Sequence, residues 1–158
     1  MEYEAFKEKG YQVFPNVLSV KQIEFYKNAM LEVYSEQVKD FGEINLKSIG
    51  EENVVRSPFL QDKSFQFLFY NDFTKKIIKD ILGDHAILSL QNGIFIPPKQ
   101  NHHQSFFHRD IIYQEFTSSR PLSINLYYCL DDYNEENGGT CFVPQSHKVE
   151  KLESFHNH

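Results

Sequence analysis

The triplet His108-Arg109-Asp110 is the part of the chain best suited to chemistry. In a β-strand successive side chains alternate faces, so an imidazole and a carboxylate two residues apart project to one side and can grip a single metal ion. A second imidazole would complete a 2-His-1-carboxylate triad, which suits non-heme Fe(II) because it leaves coordination positions open for a co-substrate and oxygen. The same triplet also suits an exposed His and Asp on a loop, or a hydrogen-bonded structural pair. Downstream, Asn137-Gly138-Gly139 has the composition of a sharp turn and runs into Thr140-Cys141-Phe142-Val143 and then Pro144-Gln145-Ser146-His147-Lys148.

The elements that must position these residues change character near residue 83. Residues 4 to 9 read as a short helix closed by Gly10, and 11 to 14 as a brief strand stopped by Pro15. Ser19 followed by Gln22 has the capping-box form. Ile23, Tyr26, Met30 and Val33 then recur at helical spacing, which predicts a helix over about 20–39. Residues 42 to 61 read as a loop, either an ordinary surface loop or one ordered over the substrate side. Asp72 to Leu82 is a second amphipathic helix ending at Gly83. Beyond it, Ala86–Leu90, Gly93–Ile96, Leu122–Leu130 and Thr140–Val143 read as strands, with Leu122, Ile124, Leu126 and Tyr128 turned to one face. Helices first and strands afterwards indicate an α+β domain rather than a parallel α/β sheet.

Composition narrows the function classes. With 158 residues, 41% hydrophobic and 15% aromatic, the chain can build one core, and 15 Phe and 9 Tyr suit packed strands. A formal charge of −6 without a Lys/Arg block argues against nucleic acid as partner. The acidic N-terminus lacks an apolar leader and there is no run of 18 apolar residues, so no membrane association and a cytoplasmic location are expected. Cys129 and Cys141, outside any metal-type spacing, are expected to be small buried hydrophobes.

Five segments in order, Phe6–Leu18, Leu82-Gly83-Asp84, Phe107–Asp110, Leu130-Asp131-Asp132 and Glu136–Lys148, resemble the phytanoyl-CoA dioxygenase family of Fe(II)- and 2-oxoglutarate-dependent oxygenases. The resemblance implies N-terminal helices packed on a double-stranded β-helix, or jelly-roll. It implies His108 and Asp110 as iron ligands, Fe(II) as cofactor and 2-oxoglutarate as co-substrate. It also implies hydroxylation of a small organic substrate, with succinate as co-product. Gln91, on the strand before the triplet, stands where relatives place an amide near 2-oxoglutarate. Asn125 is a candidate for the same role, though a solvent-facing strand polar suits it better, and Tyr113 is a candidate to line the substrate or simply to pack.

The resemblance is incomplete at its far end. Family members continue into strands that carry the distal His and an Arg for the far carboxylate of 2-oxoglutarate. No Arg follows Arg120, and His147, His156 and His158 are not in the distal-ligand context. His147 is expected to hold its turn by hydrogen bonds, and His102-His103 to be surface histidines. A single domain spanning 1–158, its jelly-roll lacking the last strands, is therefore expected. Three readings follow: part of a hydroxylase, weak or inactive alone; a non-catalytic remnant binding metal or a small acid; or an interaction module that self-associates through an open sheet edge.

Overall fold

The structure is a computed structural model and describes residues 3–97, 107–108, 118–134 and 136–149. These fall in two compact units. The first is drawn from 1–17, 101–120 and 133–158, the second from 18–100 and 121–132.

In the second unit, α2 (Val20–Phe41) begins where the sequence predicts. The Gln22 amide N–H donates to Ser19 Oγ at 3.3 Å, and the Ser19 amide returns a bond to Gln22 Oε1 at 2.9 Å. Two otherwise orphaned donors are thereby satisfied. Ser19→Ala removes this cap and is expected to cost about 1 kcal/mol in urea unfolding; an unchanged midpoint would show that the cap contributes nothing. The helix buries Tyr26, Met30 and Val33 of the predicted stripe, leaves Ile23 half-buried, adds Ala29 and continues onto Gln37.

α5 (Asp72–Leu82) matches its predicted bounds, with Asn71 Oδ1 accepting from the Thr74 amide at 2.9 Å and Gly83 following its last turn. Between these helices the expected loop at 42–61 is corrected. It holds α3 (Glu43–Ser48), strand β1 (Val54–Arg56) and a 3-10 turn at Pro58–Leu60. A second 3-10 turn, Lys63–Phe65, leads into α4 (Gln66–Tyr70).

β1 pairs antiparallel with β2 (Asn92–Ile94), Val55 opposite Gly93, and the ladder is extended by Ser57 N to Gln91 O and Phe95 N to Asn53 O. One edge of β1 therefore faces β2. Side chains of α2 and a local turn occupy the other: Gln37 Nε2 donates to Val54 O at 2.7 Å, Gln37 Oε1 accepts from Arg56 N at 3.3 Å, Tyr34 Oη accepts from Asn53 N at 3.1 Å, and Val54 N donates to Glu51 O. Buried backbone groups need partners, and here a helix substitutes for a third strand. Gly93 lacks a side chain for a packing reason, since a Cβ there would overlap the Met30 thioether.

The core of this unit joins Tyr26, Ala29, Met30 and Val33 of α2 to Val55, Phe65 and Leu68. Tyr128 and Leu130 pack against it, and the Tyr128 hydroxyl donates to Leu68 O at 2.7 Å. Residues 121–130 are not helical, but they make no strand ladder either, a correction to the expected strand. Ile124 and Tyr128 are half-buried while Ser123, Asn125, Tyr127 and Cys129 are exposed, as the alternation predicts; Leu122 and Leu126 are exposed as well.

The strands expected at 11–14, 86–90 and 140–143 are likewise corrected to irregular backbone. Alternation of apolar residues shows which face can bury, whereas a strand also needs a backbone partner. Both cysteines are exposed rather than buried, Cys129 because it stands on the outward parity between Tyr128 and Leu130. The described residues are thus helices with a two-stranded antiparallel sheet, an α+β arrangement.

In the first unit, α1 (Glu4–Lys9) ends at Gly10 with φ of 90°, the left-handed position a glycine adopts freely. The turn before the 3-10 segment Ser146–Lys148 is tied to it: Gln145 N donates to Lys9 O at 2.8 Å and the His147 ring nitrogen Nε2 lies 3.2 Å from Lys7 O. His147 holds its turn as expected, by reaching 140 residues back along the chain. The Tyr11 and Phe142 rings stack with centroids 5.2 Å apart. The predicted reversal at 137–139 is present, with Gly139 N bonded to Asn134 O at 2.8 Å and Gly138 at φ of 86°.

Candidate functional site

His108 belongs to the first unit and its residue is exposed. Asp110 and Tyr113 lie outside the described residues, as does the link between them. Among the described residues no group of three His, Cys, Asp or Glu is arranged to hold a metal.

Gln91 belongs to the second unit, at the entry to β2, where the pleat fixes its backbone against Ser57. Its side-chain Nε2 donates to Phe65 O at 3.1 Å, while Oε1 is buried with no partner. An unsatisfied buried acceptor costs about 1–3 kcal/mol, so this amide sits where a donor is wanted. Gln91 thereby braces the core at Phe65 and retains one further N–H. Asn125, also in the second unit, is exposed on the outward parity of the 121–130 segment.

The second unit also has a cleft of about 370 Å³, lined by Ile23, Glu24 and Lys27 of α2 and by residues 129–132. Lys27 Nζ donates to Asp131 Oδ1 at 2.7 Å, and that bond holds the ammonium above its ordinary range. None of the predicted site residues lines this cleft. Sequence reasoning missed both this ion pair and the Gln37 clamp. The clamp had a readable signal, a Gln at the next position of the apolar stripe after Val33, where a polar side chain must find buried partners.

By donor chemistry the residues fit a ferrous ion: His108 offers an imidazole and Asp110 a carboxylate two positions on. Comparison with known proteins bears on what that pairing serves. An uncharacterized protein of Mycobacterium tuberculosis and one of Mycobacterium bovis are each 28% identical to this chain over 148 residues. The match takes in 90% of this chain and 54% of each relative, so the chain spans about half the length of the curated relatives it matches. No solved structure matches it. The model of the phytanoyl-CoA dioxygenase (PhyH) family matches residues 6–156, nearly the whole sequence, and the chain belongs to that family.

Proposed function

We propose that this chain carries the iron-binding portion of a 2-oxoglutarate-dependent dioxygenase that hydroxylates a small organic substrate. The family match over residues 6–156, which contains the His108-x-Asp110 pair, supports this reading. His108 and Asp110 hold Fe(II); when bound, the metal supplies the activation of oxygen that couples 2-oxoglutarate decarboxylation to hydroxylation. The imidazole is neutral and the carboxylate carries one charge, so the site keeps a net positive charge that draws in the dianionic co-substrate. Gln91 offers its remaining N–H, and Asn125 its amide, to a carboxylate of 2-oxoglutarate; Tyr113 lines the substrate side. A jelly-roll that completes the sheet around the pair, and a cytoplasmic location, belong to the same proposal. No helix among the described residues is long and apolar enough to cross a membrane.

A second reading is that the chain binds metal or a small acid without turnover. Anaerobic titration with Co(II) or Fe(II), followed by absorption, separates the possibilities. Wild type is expected to bind either ion, and His108→Ala to bind at least about tenfold more weakly. Equal binding by the two proteins would remove the iron assignment. With binding established, iron-dependent release of succinate from 2-oxoglutarate supports the dioxygenase, and binding without succinate supports the non-catalytic reading.

A further inference from the structure

Asparagine followed by glycine occurs twice in the chain, at Asn92-Gly93 and at Asn137-Gly138. The pair carries a chemistry of its own, because glycine has no side chain to keep its backbone nitrogen away from the neighbouring side-chain amide. The two copies stand in opposite surroundings. Asn92-Gly93 lies in β2, where Gly93 is buried and its N–H is engaged in the ladder opposite Val55. The Asn92 amide is tied as well, between Arg56 Nη1 at 2.8 Å and the Gln91 carbonyl at 2.9 Å. Asn137-Gly138 lies on the reversal of the first unit, and both of its residues are exposed. Gly138 sits at φ of 86°, and its amide makes no hydrogen bond among the described residues. Asn137 Oδ1 accepts from the Asn134 N–H at 2.8 Å. That donor polarises the side-chain amide, and it is already in place for the negative charge that gathers on the oxygen when a nucleophile adds to Cγ.

We propose that Asn137 is a self-modification site of the folded protein, converted to aspartate and isoaspartate by attack of the Gly138 nitrogen, while Asn92 is protected by its strand. The nitrogen gives up its proton and bonds to Asn137 Cγ. The bond from Cγ to Nδ2 breaks, and ammonia leaves with that proton as a five-membered succinimide closes. Water then opens the ring. Opening at Cγ leaves aspartate; opening at the backbone carbonyl leaves isoaspartate, whose main chain runs through Cβ. The sum is one water taken up and one ammonia released, with no oxidant, metal or second protein. Isoaspartate lengthens the main chain inside the reversal that Gly139 N closes on Asn134 O at 2.8 Å. That reversal precedes the turn by which Gln145 and His147 hold α1, so the modification loosens the approach to those contacts.

Peptide mapping by mass spectrometry tests the proposal. The full chain is incubated in mildly alkaline buffer, folded by circular dichroism, and in parallel in urea. Both asparagines are followed, with isoaspartate separated from aspartate by chromatography. In the folded protein Asn137 is expected to convert about tenfold or more faster than Asn92, because reaction at Asn92 waits for the ladder to open; in urea the two rates are expected to converge. An Asn137 that stays intact in the folded protein over a period that converts it in urea would overturn the proposal. So would equal conversion of the two asparagines in the folded protein, or a difference between them that persists undiminished in urea.

Discussion

Phe65→Ala is expected to remove about 3–5 kcal/mol of stability, a large share of the roughly 5–15 kcal/mol that holds a domain of this size folded. Phe65 is 1% exposed, its ring centroid lies 5.5 Å from that of Tyr26, and it belongs to the cluster that joins α2 to Val55 and Leu68. Alanine would leave a cavity bordered by these groups, and two features hinder collapse into it. The position closes a 3-10 turn whose Asp62 side chain caps Ser64 N, and its carbonyl accepts the Gln91 amide. Urea unfolding followed by tyrosine fluorescence checks the figure. A loss under 1 kcal/mol would show that the cluster does not hold this unit together.

The second large effect is expected at Gln37, which is 5% exposed. Its amide serves two backbone groups of β1, Val54 O and Arg56 N. Truncation to alanine orphans both, and at about 1–3 kcal/mol for each unsatisfied group the loss is about 2–6 kcal/mol. Gln37→Leu separates hydrogen bonding from packing, because leucine refills the volume but offers no donor or acceptor. The leucine variant should be nearly as unstable as the alanine variant, with faster amide exchange at Arg56. Wild-type stability in Gln37→Leu would mean that the contact matters only as packing.

Local signals were readable in the chain because the physics behind them is local. Gly10 ends α1, Ser19 and Gln22 start α2, and Gly83 ends α5, each within one turn of the element it delimits. β1 was not readable. Val54–Arg56 is three residues long, and its strand character comes from β2, 38 positions further on, and from a glutamine 17 positions back. The opposite error occurred at 86–90 and 140–143, where strand-like composition exists without a ladder among the described residues.

For the site, the His-x-Asp triplet was legible as chemistry, and the family match agrees with the resemblance that framed it. A triplet names two ligands at most, however, and the coordinates of Asp110 and Tyr113 fall outside the described residues. Gln91 was singled out as a cofactor contact. Its bond to Phe65 O, which no local pattern announces, adds a structural duty.

The bond from the His147 ring to Lys7 O has a consequence for how the protein is made. It joins positions 140 apart, and the neighbouring bond from Gln145 to Lys9 does the same work. Translation proceeds at about 5–20 residues per second, so α1 leaves the ribosome roughly 7–30 s before the turn that anchors it exists. A six-residue helix is too short to persist alone, whereas most of the residues that form the Phe65 cluster emerge within that interval. α1, although made before the Phe65 cluster, is therefore locked in place after it. Until that turn emerges it remains open chain, within reach of the chaperones that engage nascent polypeptides.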